Sequence, residues 1–124
     1  MNDDRSGREA EETTDESRST VSKSRAFELL SNHRRRHALW LVYRHDRVSL
    51  PDIAEEVTVA QSDADITEID PERVRDTYMM LYHSDVPKLA EADVVAYDQE
   101  LDMVAAGENF QLVADILTQH FAEP

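Results

Sequence analysis

Apolar residues are almost missing from the first 24 positions, MNDDRSGREAEETTDESRSTVSKS, and set in at Ala26. A segment so polar buries too little surface to offset the entropy of ordering its backbone, roughly 1–2 kcal/mol per residue. Residues 1–24 are therefore expected to form a disordered acidic tail. Beyond it, apolar positions recur at helical spacing. Ala26, Phe27, Leu29 and Leu30 predict a first helix over Arg25 to Leu30, with all four buried. Ala38, Leu39, Leu41 and Val42 form the inward stripe of a second helix, Asn32 to His45.

Local stop and start signals divide the rest. Ser49 followed by Asp52 is an S-x-x-D capping pattern, and Pro51 falls in the first turn, where its missing N–H costs nothing. Leu50, Ile53, Ala54 and Val57 then repeat at i, i+3, i+4, i+7, which predicts a short amphipathic helix. Thr58 to Ile69 is acidic and weakly patterned and is assigned to a loop. Asp70-Pro71 opens another helix, capped by Asp70, with Val74, Tyr78 and Leu81 inward and Pro87 interrupting it. Val94–Tyr97 and Leu101–Val104 flank Asp98-Gln99-Glu100 and predict a hairpin. Gly107 breaks the chain, and Asn109 is placed to cap a last helix running through Phe121. The expected fold class is mainly α with a small β-hairpin, divided into a tail (1–24), a folded domain (25–107) and a C-terminal helical element (108–124).

Composition narrows the setting. No run approaches the roughly 18–20 apolar residues of a membrane span, and the polar start lacks the apolar core of a secretory signal, so a soluble, cytoplasmic protein with no membrane partner is expected. With no cysteine, disulfides and thiolate chemistry are excluded. The chain carries 27 Asp plus Glu against 13 Lys plus Arg, a formal net charge of −14, and just two of the bases, Lys23 and Lys88, are lysines. Such a balance resembles proteins of salt-loving archaea, where screening makes self-repulsion cheap and carboxylates keep the surface hydrated. The charge is uneven: 25–50 holds six bases and two acids, whereas 51–124 holds eighteen acids and three bases. The one basic stretch is thus His33-Arg34-Arg35-Arg36-His37.

Helix, helix, capped helix, second helix and hairpin is the order of a winged helix-turn-helix. Leu29-Leu30-Ser31-Asn32-His33-Arg34-Arg35-Arg36, Val48-Ser49-Leu50-Pro51-Asp52-Ile53-Ala54, and Tyr82-His83-Ser84-Asp85-Val86-Pro87-Lys88-Leu89 with Val94-Val95-Ala96-Tyr97-Asp98 resemble a haloarchaeal winged-helix family of unknown function, distantly similar to ArsR-like regulators. The resemblance spans about Arg25 to Gly107. It implies the fold and a role in transcription, and brings no catalytic or ligand residues with it. One departure is the wing, which carries Asp98, Glu100 and Asp102 and no base.

A helix-turn-helix reads bases with the N-terminal part of its second helix, and arginine is the usual bidentate partner of guanine. Arg73 and Arg75 are the leading candidates for DNA contact, with Met79 and His83 on the same outward side and Arg34, Arg35 and Arg36 available for phosphates; the alternative is that Arg73 and Arg75 pair locally with Glu72 and Asp76. Projected around the second helix, Arg36, Trp40, Tyr43, Arg44 and Arg47 fall opposite Ala38 and Val42, with Trp40 spaced to lie under either guanidinium. That face is either a partner surface or a tryptophan packed inside under covering arginines. His33 and His37 share a helix face, but two imidazoles among arginines make no metal site, and no cofactor is expected. With no Gly-rich phosphate loop and only scattered carboxylates, no catalytic set is recognisable and no enzyme is expected.

Phe110, Val113, Ile116, Leu117 and Phe121 belong to an apolar arc wider than the ~100° stripe that one-sided burial needs. The excess calls for the first helix of the same chain or for a twofold-related copy, and a homodimer is expected. Two functions remain. One is a regulator binding double-stranded DNA. The other is a winged helix that binds another regulatory protein. Because the affinity for duplex falls with a log–log salt slope of about −0.9 per neutralised phosphate, six contacts lose about five decades over a tenfold salt increase. In a salty cytoplasm, base-edge contacts and dimerisation must then carry DNA binding.

Overall fold

The computed structural model describes residues 21–124. The expected tail lies outside the described residues except at its end, and there the boundary needs correcting. Val21 is buried, and the Ser22 Oγ accepts the Arg25 N–H at 3.0 Å to cap helix α1, Lys23–Leu29. Order begins before Arg25 because the cap and its flanking apolar residue precede the helix they stabilise.

Helix α2 (His33–His45) follows, capped by Asn32, whose Oδ1 accepts the N–H of Arg34 at 2.8 Å and of Arg35 at 3.3 Å. A three-residue strand β1 (Arg47–Ser49) leads into α3 (Leu50–Ser62). After a tight turn at Ile66–Glu68 come α4 (Pro71–Met80), one wide π-helical turn (Leu81–Asp85) and α5 (Val86–Glu91). Strands β2 (Val95–Asp98) and β3 (Met103–Ala106) form the hairpin, and α6 (Phe110–His120) ends the described fold. β1 pairs antiparallel with β3 on the side away from β2, in register Val48 with Val104, giving a three-stranded sheet in the order β1-β3-β2. The molecule is mainly helical with a small antiparallel sheet, an order compatible with a winged helix.

Helix α2 is the centre of the core. All five residues from Ala38 to Val42 are buried, not one stripe of them, because α3, α6, the sheet and the wide turn surround the helix. Leu39 and Val42 join Leu29, Leu30, Leu50, Ile53, Val57, Leu81, Leu89, Val104 and Leu117 as fully buried side chains. At ~1.5–3 kcal/mol for each large aliphatic removed from water, these dominate the folding free energy.

Four expectations change. Thr58–Ile69 is not a loop throughout: α3 continues to Ser62, and Thr58 is buried, its hydroxyl donating to the Ala54 carbonyl at 2.7 Å. Phe27, expected inside, is 37% exposed on α1 and lies 5.5 Å from the His120 ring. Asn109 does not cap α6 with its side chain; its Nδ2 donates instead to the Ala92 carbonyl at 2.9 Å. Leu101 sits in the hairpin turn, exposed, not in a strand. Pro87 does interrupt the regular ladder, but the chain stays helical across it. Having no N–H, Pro87 cannot bond the carbonyl four residues back, and the turn before it widens so that the Val86 N–H reaches the Leu81 carbonyl.

Glycine is scarce, and aspartate takes its usual turn positions. Asp46, Asp63, Asp93 and Asp102 have φ of 67°, 59°, 59° and 54°. Asp and Asn tolerate the left-handed region better than other side chains, since the short carboxylate can bond locally. Gly107 is kept for a different reason: a Cβ there would come within 2.4 Å of the Asp93 carbonyl oxygen.

Candidate nucleic-acid interface

Helix α4 lies against α3, and their seam carries a polar pair. Thr58 Oγ1 and Thr77 Oγ1 meet at 2.9 Å, the two hydroxyls sharing their protons between this contact and the carbonyls of Ala54 and Arg73. Leu81 is buried and Val74 and Tyr78 half-buried against the core, which turns the opposite side of α4 outward. Glu72, Arg73, Arg75, Asp76, Met79 and His83 are all exposed, as is Met80. Among the described residues neither Arg73 nor Arg75 forms an ion pair, so the local pairing with Glu72 or Asp76 is not made. The two arginines do not share one line. At about 100° per residue they lie about 160° apart, on the two flanks of the exposed face, with Glu72, Asp76 and Met79 between them. His83 packs edge-on to Tyr82, ring centroids 4.9 Å apart.

The hairpin is fastened to α4 by the acid that the sequence placed on a repulsive wing. Asp102 accepts the Tyr78 hydroxyl at 2.7 Å and also the Tyr97 hydroxyl, joining α4, β2 and the turn through one carboxylate. Hydrogen bonding to Asp102 pushes the Tyr78 phenol up to about 12. Burial, then the same carboxylate, raises Tyr97 further. Tyr82 stacks on Tyr78 at 6.0 Å and accepts the Gln99 Nε2–H at 2.9 Å. Tyr82, Tyr97 and the structural part of Asp102 were not singled out from sequence. The pairing of a turn acid with a tyrosine 24 positions earlier leaves no local signal.

The basic run at the start of α2 is turned into the fold. Asp85, 0% exposed at the wide turn, accepts Arg34 Nε at 2.7 Å and Arg35 Nη1 at 3.3 Å. Arg35 Nε donates to the Leu29 carbonyl at 2.7 Å, and Arg36 Nη1 to the Leu30 carbonyl at 2.8 Å. Two guanidinium groups thus satisfy carbonyls at the C-terminal end of α1, where no helical partner exists. Arg34, Arg35 and Arg36, expected at phosphates, are held by internal acceptors. For Arg34 and Arg35 the physical reason is the buried Asp85, about 50 positions away in sequence; for Arg36 it is the carbonyl end of α1.

Of the two readings of Trp40, the one packed inside holds. It is 6% exposed, packed edge-on to Tyr43 at 5.7 Å, and no arginine covers it; Arg36 lies instead over the Phe121 ring, 4.9 Å from its centroid. Tyr43, Arg44 and Arg47 remain exposed, with Arg44 paired to Glu123. On α6, Phe110, Val113 and Leu117 are buried against the chain's own α1 and α2. The wide apolar arc is largely used within one chain. Left outside are Leu112 and part of Ile116, on the side of α6 that also carries His120, against whose ring Phe27 lies.

A shallow groove of about 400 Å³ runs beside α4, lined by Pro51, Glu55, Val74, Arg75, Tyr78 and Asp102. Residues 27–105 match the family described as a domain of unknown function, DUF7344. The chain belongs to that family. No curated protein and no solved structure matches it. Among the described residues of this DUF7344 domain, no helix is long and apolar enough to cross a membrane, and no group of three or more metal-binding side chains comes together.

Proposed function

We propose that this DUF7344 domain is a winged-helix transcription regulator that binds double-stranded DNA through α4. The observation that carries the reading is α4 itself: a helix anchored across α3 by Thr58 and Thr77, tied to the hairpin through Asp102, with Arg73 and Arg75 exposed and free of acid partners among the described residues. In a major groove the two arginines flank the helix and reach base edges or phosphates on either side. Glu72 and Asp76 between them suit cytosine amino groups as acceptors. With Arg34 and Arg35 held on the buried Asp85 and Arg36 turned to the end of α1 and the Phe121 ring, few cations remain for phosphates, so the affinity rests on base contacts and on two half-sites read at once.

The paired half-sites need a homodimer, formed around Leu112, Ile116 and Phe27 and not through the buried Phe110, Val113 and Leu117. The halophilic, cytoplasmic setting follows from the acidic composition and the haloarchaeal resemblance. A second reading, a winged helix that binds another protein, is favoured by Met79 and Met80, 41% and 47% exposed on the same face. Mapping the protein on the chromosomal DNA of its host separates the two. Discrete enriched sites sharing a motif support the DNA reading. A flat profile leaves the protein partner.

A further inference from the structure

A second cleft, lined by no residue of α4, has a chemistry that the composition does not favour. It encloses about 220 Å³ between the N-terminal half of α2, the C-terminal end of α3 and the segment after α6. Its polar side-chain lining is His33, Arg36, His37 and Trp40 from α2 and Gln61 from α3; no Asp or Glu side chain lines it, in a chain carrying 27 of them, and the carboxylate of Pro124, which also borders it, pairs with none of these groups among the described residues. Glu123, beside the cleft in sequence, is turned to Arg44.

Gln61 and His33 meet side chain to side chain across the lining, and the donors beside them lack acceptors. The Trp40 indole N–H is buried and has no partner among the described residues. Native interiors rarely leave such a group unmatched, and an unmatched one calls for a bound species. Arg36 gives one N–H to the Leu30 carbonyl, and its other donors find no acceptor among the described residues. His37 makes no side-chain hydrogen bond among them, and burial lowers its pKa, which keeps the imidazole neutral and able to donate or accept one bond. Apolar wall comes from the Trp40 ring, Ala60 and Ala122.

We propose that this cleft binds a small organic acid, its carboxylate held by Arg36 with the α2 donors beside it and its carbon chain against the Trp40 side. A planar guanidinium matches a carboxylate, and one cation with an apolar wall suits a singly charged head on a carbon chain better than a compact polyanion. At ~30 Å³ per water, the volume is that of about seven waters, room for roughly five to eight non-hydrogen atoms.

Trp40 is the only tryptophan in the chain, so its emission reports on the cleft directly. The full chain is titrated with butyrate, 3-hydroxybutyrate, valerate and hexanoate at fixed ionic strength, with chloride and inorganic phosphate as comparison anions. The expected result is a saturable change in Trp40 emission with at least one of the four acids and none with chloride or phosphate. Arg36→Gln should abolish it. Because Arg36 also caps α1, Gln61→Glu serves as the second variant: it adds a carboxylate at an exposed rim position and should weaken binding at least about tenfold by like-charge repulsion. No saturable response to any of the four acids, an equal response to phosphate, or a response unchanged in Gln61→Glu overturns the proposal.

Discussion

Asp85 Oδ1 lies 3.3 Å from Arg35 Nη1, joining the wide turn after α4 to the start of α2 with both groups buried. The same carboxylate meets Arg34 at 2.7 Å. Removing one partner of such a cluster leaves uncompensated buried charge, typically at a cost of 3–5 kcal/mol. Asp85→Ala should therefore lose about 3–5 kcal/mol in denaturant unfolding, far more than an exposed acid such as Asp76→Ala. A loss below about 1 kcal/mol would show that the cluster does not hold the two elements together.

The Asp102 link predicts an alkaline limit. An unperturbed tyrosine loses its proton near 10, whereas Tyr78 in the fold holds it to about 12. Its contribution to stability is complete below pH 10 and is lost as the pH rises from about 10 to about 12, because the unfolded chain ionises first. Tyr97 shifts in the same direction. Asp102→Ala should bring both phenols back towards 10, seen as tyrosinate absorbance appearing at lower pH, with the hairpin less protected from hydrogen exchange.

Gly107→Ala tests a close approach. The added methyl meets the Asp93 carbonyl at 2.4 Å, a backbone atom that cannot rotate away. Overpacking of this kind costs about 1–3 kcal/mol, to be read as a lowered midpoint of thermal unfolding.

Asp63 tests the use of aspartate in the left-handed region at the end of α3, φ 59°. Asp63→Ala should destabilise by about 1 kcal/mol, since an ordinary side chain pays the steric cost of that conformation. Asp63→Gly should equal or exceed the parent, measured by the same unfolding experiment.

What was legible in the sequence was local. Ser49 and Asp70 were recognisable as caps because a cap bonds within three residues, and the Leu50–Val57 stripe because α3 buries one side only. β1 was not, since three residues become a strand only by pairing with β3, 54 or more positions later. Trp40 stayed open between a partner surface and the interior because helical projection assumes a helix with a wet side, and α2 at this point has none. Arg34 to Arg36 looked free because the Asp85 carboxylate and the end of α1 that engage them meet only in the folded chain. At the candidate interface, the exposure of Arg73 and Arg75 followed from the inward Val74, Tyr78 and Leu81. Their separation across the helix also follows from a two-residue spacing, though it was not drawn from the sequence.

The central claim, that α4 reads DNA, is tested most directly by selection from a random duplex pool in molar KCl. The parent protein should retain duplexes sharing a sequence motif, and the Arg73→Ala/Arg75→Ala double variant, folded to the same degree, should retain none. Equal recovery of the motif by both proteins, or no motif with the parent, would contradict it.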